Sequence, residues 1–324
     1  MNRRLKCAVI GASGIGKQHA KWYHIEGCDV AAFVGTSEES VAKTKDTLAD
    51  LFGFEGKGYT NIKEMVETER PDIVSVCSPH HLHAEHARTA LQGGANVLCE
   101  KPLLWLKDRG IKSMLREAEH VLEVGQEMGK ILSMNAQYPS GLQFYRQVHA
   151  KTGEPMPPVT SMFAHLESRG GRMQTEYEDI WVDLGPHPLS ILQRLVPGGR
   201  IDEDSINFEI SQFDNVAIFD YIGPAGGKCK VEIRLGVKKE GDLIRKFGLN
   251  GRIVDYSGRN DEQSVYRSVI TYHGKELMYD DFMQLCIRQF IKAVRGQGRP
   301  LISAAEAVDN LAMLGFLLER AKKK

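Results

Sequence analysis

The sequence predicts a two-domain α/β protein: a doubly wound domain with a parallel sheet, followed by an α+β domain with a large, mostly antiparallel sheet. As far as about residue 135, short apolar runs alternate with amphipathic stretches, which is typical of βαβ units. Farther on, longer segments alternate apolar and polar residues between turn glycines, which is typical of antiparallel strands. Because a core usually divides before about 250 to 300 residues, we expect one domain of residues 1–135 and a second of residues 136–324.

In the first domain, strands are expected at the apolar, β-branched runs and helices at the stretches with a period near 3.6 residues. The predicted strands are 5–11, 29–35, 72–79, 95–102 and 130–135, and the predicted helices are 14–27, 38–53, 83–94 and 108–129. Gly27, Gly93 and Gly129 close three of these helices, because glycine tolerates the left-handed turn that follows a helix.

In the second domain, the extended segments with turn glycines between them predict the antiparallel sheet. These segments are 159–170, 205–223, 227–237 and 242–258. Two helices are predicted at about 279–295 and at 303–321, with Ser303 as an N-cap. Helices cover one face of such a sheet and leave the other to be covered, so we expect a homo-oligomer, a dimer or a tetramer.

The balanced charge argues against nucleic-acid and membrane partners. Lysine plus arginine equals aspartate plus glutamate at 42 each, so no excess of positive charge attracts nucleic acid or anionic lipid. No run reaches the roughly 18 apolar residues of a membrane span. The six cysteines follow neither a disulfide nor a zinc spacing. We therefore expect a cytoplasmic protein that acts on a small molecule.

A glycine-rich turn lies between the first strand and the first helix. Gly11, Gly14 and Gly16 let the backbone bend tightly, and the N–H groups around Ile15 and Gly16 at the helix start can receive a pyrophosphate. The spacing G-x-x-G-x-G differs from the commonest dinucleotide spacing, and an ordinary glycine turn is the alternative interpretation. The place of this turn in a βαβ series favours a Rossmann dinucleotide site.

The end of the second strand bears on the choice between NAD and NADP. NAD-binding domains usually carry an acid there for the ribose hydroxyl, whereas this chain has Thr36 and Ser37 after Gly35. A 2′-phosphate therefore escapes a repulsion of up to about 4 kcal/mol, and both hydroxyls can donate to it. Glu38 and Glu39 follow, and the lack of an arginine in the loop weighs against NADP. The loop favours NADP by a small margin.

Glu100, Lys101 and Pro102 come directly after an apolar run. Ligands of open α/β sheets bind at the carboxyl ends of the strands, so Glu100 and Lys101 are expected at the cofactor site. Pro102 keeps Lys101 out of a helix, and the amine can then point into the crevice. A surface lysine after a strand is the alternative interpretation.

Asp183 and His187 lie four residues apart, with Gly185 and Pro186 between them. The glycine and the proline argue against a regular helix here, so we expect Asp183 to end one segment and His187 to open the next helix. A histidine near a helix N-terminus tends to stay neutral and able to accept a proton, which suits a general base. A structural histidine is the alternative interpretation.

These motifs resemble those of the glucose-fructose oxidoreductase, inositol dehydrogenase and MocA family across nearly the whole chain. The segments that carry the resemblance are CSPHHLHAEHARTALQGGANVLCEKPL, WVDLGPHPLSIL and RGQGRPLISAAEAVDNLAML. The resemblance implies that Lys101 lies beside the nicotinamide and the reacting carbon, that His187 takes the hydroxyl proton and that Asp183 orients the ring or binds the sugar. An amine at that place stabilises the oxygen on which charge develops.

The resemblance also implies cofactor contacts and reveals two departures from the family pattern. Ser78 and Pro79 are the expected contacts after the fourth strand, and His83 is a weaker candidate. Ser190 stands where the family usually has an acid. Asn135, in a segment where the family often has an arginine, is a candidate for substrate binding. Both departures bear on the identity of the substrate.

Two further groups of polar residues bear on metal binding and on sugar binding. No cysteine or acid completes a zinc spacing with the histidines of one loop, so we predict no metal site; they are His80, His81, His83 and His86. A second group either lines a sugar site or forms an ordinary polar loop; it comprises Glu167, Arg169, Arg172, Tyr177 and Trp181.

The expected activity is hydride transfer between NAD(P) and a secondary hydroxyl or ketone of a sugar, cyclitol or related polyol. Two alternatives stay open. A dinucleotide-dependent glycoside hydrolase begins with the same hydride step and regenerates its cofactor, and a non-catalytic NAD(P) sensor uses the same fold as a binding scaffold.

Overall fold

The computed structural model describes residues 3–150, 158–169 and 176–323, and of residues 148–150 only the backbone. The contacts divide the chain into two units. The first unit runs to Ala136 and also includes Met283–Val308, and the second comprises Gln137–Phe282 and the residues from Asp309 on.

A six-stranded sheet forms the centre of the first unit, and all its neighbouring strands are parallel. Its strands are β1 (Lys6–Ile10), β2 (Asp29–Val34), β3 (Lys57–Tyr59), β4 (Ile73–Val76), β5 (Asn96–Glu100) and β6 (Leu132–Asn135). The spatial order is β3-β2-β1-β4-β5-β6, which confirms the predicted doubly wound fold. The order reverses between β1 and β4, where open α/β sheets bind their ligands.

The helices of this unit follow the strands as the sequence pattern predicts, with one addition. They are α1 (Gly16–Ile25), α2 (Glu38–Phe52), α3 (Ile62–Glu69), α4 (His83–Gln92) and α5 (Ile111–Glu127). Ser37 begins α2 by accepting a hydrogen bond from the Ser40 backbone N–H at 3.2 Å, and Asn61 begins α3 in the same way through Glu64. Strand β3 and helix α3 were missed, because a three-residue strand is too short to show a period.

The predicted domain boundary between residues 135 and 136 stays a prediction, and the structure differs from it in one respect. Residues 283–308 belong to the first unit because they extend the edge of its sheet. Ser133 Oγ donates to the Ile302 carbonyl at 2.6 Å, and the Met134 backbone N–H donates to the same oxygen at 3.3 Å. A bridge between Ser133 and Ser303 continues this edge.

The helices near the C-terminus are α9 (Phe282–Val294) and α10 (Ala304–Leu318). The Ser303 hydroxyl accepts the Glu306 backbone N–H at 3.3 Å, and Glu306 accepts the backbone N–H of Ser303 in return at 2.8 Å. This reciprocal pair confirms Ser303 as an N-cap.

The second unit is built on one large mixed sheet. Its strands are β7 (Ser161–Arg169), β8 (Arg200–Ile201), β9 (Asn207–Ile210), β10 (Asp214–Ile222), β11 (Lys228–Lys238), β12 (Arg245–Leu249), β13 (Arg252–Asn260), β14 (Tyr266–Tyr272), β15 (Lys275–Asp280) and β16 (Lys322–Lys323). The order is β15-β14-β13-β12-β7-β11-β10-β9-β16, with β8 beside β10. The pairs β7·β11 and β9·β16 are parallel and the others antiparallel, as the mostly antiparallel prediction requires.

Strands of this sheet bury alternate residues. One short helix precedes the first strand in sequence and two short helices follow it. These helices are α6 (Leu142–Ala150), α7 (Asp179–Leu184) and α8 (Pro186–Leu195). Trp181 of α7 is fully buried with its ring 4.4 Å from the ring of Phe208 on β9, and its indole N–H donates to the Leu314 carbonyl at 3.0 Å. Trp181 is therefore a core residue and does not line a sugar site; Arg172 lies outside the described residues.

Candidate functional site

The glycine turn between β1 and α1 is tight for identifiable reasons. Gly11 has φ +84°, and a Cβ on it would lie 2.7 Å from the Cys77 carbonyl oxygen after β4. A Cβ on Gly16 would lie 2.5 Å from the Gly11 carbonyl oxygen. Both positions therefore require glycine, because the first turn of α1 packs directly onto the ends of β1 and β4.

Gly14 differs from the other two glycines of the turn. Apart from its chain neighbours, no atom of the described residues lies within 4 Å of a Cβ built on Gly14, and the neighbouring Ile15 is 44% exposed. The fold therefore does not need glycine at position 14. A group that approaches the backbone closely does need it, since the N–H groups at the start of α1 have no partner within the helix. The pyrophosphate of a dinucleotide fits this turn.

The loop after β2 lies at the same carboxyl edge of the sheet. Thr36 and Ser37 are exposed, and the Ser37 oxygen already serves as the cap of α2. The first turn of α2 carries Glu38 and Glu39, so two acids follow the two hydroxyls directly. The Ser37 hydroxyl keeps its hydrogen for donation while its oxygen accepts the backbone N–H.

The loop after β4 is held together by histidines. Each ring nitrogen of His83 lies near a carbonyl oxygen: Nδ1 is 2.8 Å from Pro102 and Nε2 is 2.7 Å from Ser78. The His86 Nδ1 atom lies 2.9 Å from the Ser78 hydroxyl. His83 has no exposed surface, and these two contacts join this loop to the segment after β5. Ser78 is half-buried and Pro79 exposed, and both stay candidates for cofactor contact.

Glu100 ends β5 as a buried carboxylate with several hydrogen-bond donors. It is 7% exposed, and its Oε1 atom lies 2.8 Å from His19 Nε2 and 2.6 Å from the Asn135 amide nitrogen. Its Oε2 atom accepts the Lys101 backbone N–H at 3.3 Å. Burial opposes ionisation of the carboxyl, but the hydrogen bond and charge of His19, together with the charge of Lys101, lower the pKa of Glu100 to about 2.

Lys101 follows Glu100 at the carboxyl end of β5, and its side chain is half-buried. Its peptide bond to Pro102 is cis. The residue leaves the strand at the sheet edge that also carries the glycine turn, which is the edge where the sequence placed it.

Asn135 ends β6, the neighbouring strand, directly opposite Glu100. It is 2% exposed, and its amide nitrogen is taken by the Glu100 carboxylate. Among the residues that the structure describes, nothing donates to its buried Oδ1 atom. An unpaired buried acceptor is costly, and the predicted role of Asn135 in substrate binding stays a prediction.

Asp183 and His187 lie on two short, nearly continuous helices of the second unit. Asp183 belongs to α7 and His187 to the first turn of α8, which begins at Pro186. This arrangement confirms the predicted break. The break is slight, because Gly185 keeps helical angles (φ −55°, ψ −38°) and proline is well suited to the first position of a helix. Four residues apart on such a path, the two side chains share one face.

The ring of His187 packs against aromatic side chains. It is 7% exposed and lies 4.8 Å from the Tyr138 ring, measured between centroids, and Tyr138 in turn lies 5.3 Å from the ring of Tyr256. Burial raises the pKa of Tyr138 to about 12, so its hydroxyl stays protonated at neutral pH. Tyr138 follows Asn135 in the segment where the family often has an arginine. The sequence does not predict the contact of Tyr138 with His187.

Ser190, one turn after His187, does not have an open position. It has no exposed surface, and its hydroxyl donates to the Pro186 carbonyl at 2.7 Å. The Asn310 amide of α10 donates to the Ser190 oxygen at 3.0 Å. This departure from the family pattern is therefore absorbed by helix packing.

Lys101 lies in the first unit, and Asp183 and His187 lie in the second. Their convergence on one substrate stays a prediction. Within the described part of the chain, no group of three histidines, cysteines or acids is arranged to hold a metal ion. In the same residues, no helix is long and apolar enough to span a membrane.

Comparison with known proteins bears on the family. The model of the oxidoreductase family with an NAD-binding Rossmann fold matches residues 5–136. The chain is 30% identical over 340 residues to 1,5-anhydro-D-fructose reductase of Ensifer adhaerens, covering 94% of this chain and 92% of that protein.

A second relative and a solved structure agree with this match. D-glucoside 3-dehydrogenase of Escherichia coli is 31% identical over 130 residues, which is 40% of this chain and only about a third (34%) of that relative. A 3-ketoreductase from Actinomadura kijaniata, solved with NADP and TDP-benzene, has a TM-score of 0.72 and 16% identity, with 99% of each chain covered. At that identity the likeness shows the fold alone.

Proposed function

Because the chain belongs to the glucose-fructose oxidoreductase, inositol dehydrogenase and MocA family, we propose that it transfers a hydride between NAD(P) and a secondary hydroxyl or ketone of a sugar, cyclitol or related polyol. The observation that carries the proposal is the position of Lys101. It follows β5 at the carboxyl edge of a parallel sheet whose switch point carries the glycine turn. The relatives D-glucoside 3-dehydrogenase and 1,5-anhydro-D-fructose reductase support the same class.

The three proposed catalytic residues have distinct roles. When bound, the nicotinamide accepts the hydride from the substrate carbon or supplies it. Lys101 donates a hydrogen bond from Nζ to the substrate oxygen and stabilises the charge that develops there. In oxidation His187 accepts the hydroxyl proton, and in reduction it returns the proton. Asp183, one turn before His187, orients the ring or binds the sugar.

The cofactor contacts follow the carboxyl edge of the first sheet. The proposed contacts are Gly11, Gly14, Ile15, Gly16, Thr36, Ser37, Ser78, Pro79, His83, Glu100 and Lys101. His83 and Glu100 are buried and act from behind this edge, whereas Gly14 and Ile15 are exposed on it. Asn135 completes the site through its Oδ1 atom.

We propose a small preference for NADP over NAD. Thr36 and Ser37 offer hydroxyl donors, and no carboxylate occupies the position that binds the ribose hydroxyl of NAD. Glu38 and Glu39 limit the preference, since their charges repel a phosphate within roughly a Debye length of 8 Å. A fluorescence titration in which NAD binds tenfold more tightly than NADP reverses this proposal.

The activity is tested by screening sugars, inositols and amino sugars with both cofactors while following the absorbance of the reduced nicotinamide. A dehydrogenase accumulates reduced cofactor. Release of a sugar substituent without net reduction identifies the hydrolase instead, and cofactor binding without any turnover identifies a sensor. Lys101→Ala should abolish turnover and leave the dissociation constant of the cofactor nearly unchanged.

A matched pair of glycine variants tests the cofactor site itself. Gly14→Ala should fold as stably as the native protein, because its Cβ meets no protein atom, and should weaken cofactor binding at least about tenfold if the pyrophosphate approaches this backbone. Gly11→Ala should instead lower the free energy of unfolding, because its Cβ would lie 2.7 Å from a carbonyl oxygen. Unchanged cofactor affinity in Gly14→Ala would place the dinucleotide elsewhere.

We also propose a cytoplasmic homo-oligomer. All six cysteines are free thiols, which suits a reducing compartment. On β13, Ile253 is 39% exposed, on the sheet face opposite to that of the buried Val254. The sheet face that carries Ile253 is the one through which we propose that copies of the chain associate. Sedimentation of the native protein as a monomer at micromolar concentration contradicts the oligomer.

A further inference from the structure

A chain of hydrogen bonds runs through the first unit from helix α1 to the backbone of Lys101. The Tyr23 hydroxyl lies 3.0 Å from Ser75 Oγ, and Ser75 Oγ lies 3.1 Å from His19 Nδ1. His19 Nε2 lies 2.8 Å from Glu100 Oε1, and Glu100 Oε2 accepts the Lys101 backbone N–H at 3.3 Å. His19, Tyr23 and Ser75 have no exposed surface.

The bond between His19 and Glu100 has one direction, and the Asn135 amide nitrogen, which lies 3.1 Å from His19 Nε2, donates to Glu100 Oε1 at 2.6 Å. An ionised carboxylate only accepts hydrogen bonds, so His19 donates to Glu100 from Nε2. With a neutral ring, Nδ1 accepts the Ser75 hydroxyl hydrogen and the Ser75 oxygen accepts that of Tyr23; with a charged ring, Nδ1 donates to Ser75 Oγ and the Ser75 hydroxyl donates to Tyr23. The opposite tautomer would turn the Nε2 lone pair towards a carboxylate oxygen at 2.8 Å and is disfavoured by repulsion. The charge on Glu100 therefore fixes His19 Nε2 as the donor to this carboxylate.

Stability alone gives no reason to bury this carboxylate. Replacing a buried ionic group by apolar residues of similar volume is often neutral or stabilising. Here two side-chain donors, from His19 and Asn135, converge on Glu100, the residue that precedes Lys101. A hydrogen-bonded carboxylate adds geometric definition to the end of β5, which an apolar side chain does not provide.

We propose that His19 is a positioning residue for Lys101. By donating to Glu100 from inside α1, it fixes the strand end from which Lys101 extends. His19 lies one helical turn after Gly16, so the helix that begins at the glycine turn and the strand that carries the amine are joined by one short hydrogen bond. This hydrogen bond thereby fixes the position of the Lys101 amine relative to the glycine turn that receives the cofactor. The inference rests on the proposed function of Lys101.

The test compares His19→Leu with His19→Gln. Glutamine keeps an N–H at about the reach of Nε2, whereas leucine removes the donor. His19→Leu should lower kcat about 10- to 100-fold through misplacement of the amine, with little change in the KM of the substrate and the dissociation constant of the cofactor. His19→Gln should restore kcat to within about threefold of the native value. Thermal unfolding of both variants shows whether each is folded.

A matched control lies on the same helix. His24 is exposed, and its ring lies 5.0 Å from the Phe52 ring. His24→Leu should leave kcat at the native value. If His24→Leu and His19→Leu lower kcat equally, or if His19→Gln is as inactive as His19→Leu while folded, His19 has no positioning role.

A second readout does not depend on turnover. The rate at which an amine-reactive reagent modifies Lys101, followed by mass spectrometry and normalised to the exposed Lys63, reports how firmly the segment is held. In His19→Leu the reagent should modify Lys101 at least about threefold faster than in the native protein, because local opening becomes easier. In His19→Gln the rate should stay at the native value. An unchanged rate in His19→Leu overturns the inference even in an active enzyme. A changed rate in a protein that oxidises no polyol leaves the inference standing and ends the proposed function.

Discussion

Glu100 and His187 are both buried polar residues of the proposed site, and the two units hold them by different means. Glu100 is 7% exposed and accepts hydrogen bonds from the side chains of His19 and Asn135. His187 is also 7% exposed, but its ring lies against that of Tyr138 at 4.8 Å. Hydrogen bonds thus support Glu100 in the first unit, and aromatic packing supports His187 in the second.

The difference matches the role that we propose for each group. A carboxylate that must remain ionised in the interior needs donors, since burial opposes its charge. A histidine that must gain and lose a proton needs a fixed ring plane and a proton that can still exchange. Aromatic contacts help to orient the plane of such a ring. Each mode of support predicts its own response to mutation.

The largest effect is expected at His187. His187→Gln removes the proposed general base and should lower kcat about 10²- to 10⁴-fold. The cofactor should still bind, because the glycine turn belongs to the other unit. Steady-state kinetics with the best sugar of the screen, together with a cofactor titration, measures both. A kcat within tenfold of the native value would remove His187 from the proton transfer.

Glu100 should show its effect in stability as a function of pH. Its pKa falls from an ordinary value of 4.5 to about 2 in the folded protein. A depressed carboxyl pKa stabilises the fold fully above the unfolded value, and this stability is lost as pH falls through the folded value. The window is therefore about pH 4.5 down to 2, and the contribution is on the order of 3 kcal/mol.

Glu100→Gln is the variant that isolates this contribution. At pH 7 it should unfold at a lower urea concentration than the native protein, and the gap should narrow as pH falls from about 4.5 towards 2. Other carboxyls titrate in both proteins and cancel in the difference. A gap that stays constant over this range means that Glu100 is not held ionised by its donors.

The two regions also differ in how much of them the sequence predicts. Lys101 can be proposed from the sequence because its apolar run and the motif after it are local signals, and ligands of a parallel sheet bind at the carboxyl ends of its strands. The role of His19 depends on Glu100, a residue 81 positions away. No period or spacing links two such positions. The contact of Tyr138 with His187 could not be predicted for the same reason, since it joins segments that are distant in the sequence.

Tyr138 tests the aromatic half of the comparison. Tyr138→Phe keeps the ring against His187 and should leave kcat within about twofold of the native value, whereas Tyr138→Leu loses the ring contact. An aromatic pair is worth about 0.5–1.5 kcal/mol, so Tyr138→Leu should lower kcat about 2- to 10-fold. Steady-state kinetics of the two variants decides the point. A loss in Tyr138→Phe as large as that in Tyr138→Leu would assign the role to the hydroxyl.

Two buried serines give the finest comparison, because each variant removes one hydroxyl. Ser75→Ala leaves the Tyr23 hydroxyl and His19 Nδ1 unpaired and should cost about 1–3 kcal/mol in the free energy of unfolding. Ser190→Ala should cost less, because the Asn310 amide keeps the Pro186 carbonyl at 3.2 Å and the Gln193 amide oxygen at 3.0 Å. Urea unfolding measures both. Equal costs would mean that the polar chain beneath Lys101 tolerates a gap as readily as ordinary helix packing does, and its members would then act independently of one another.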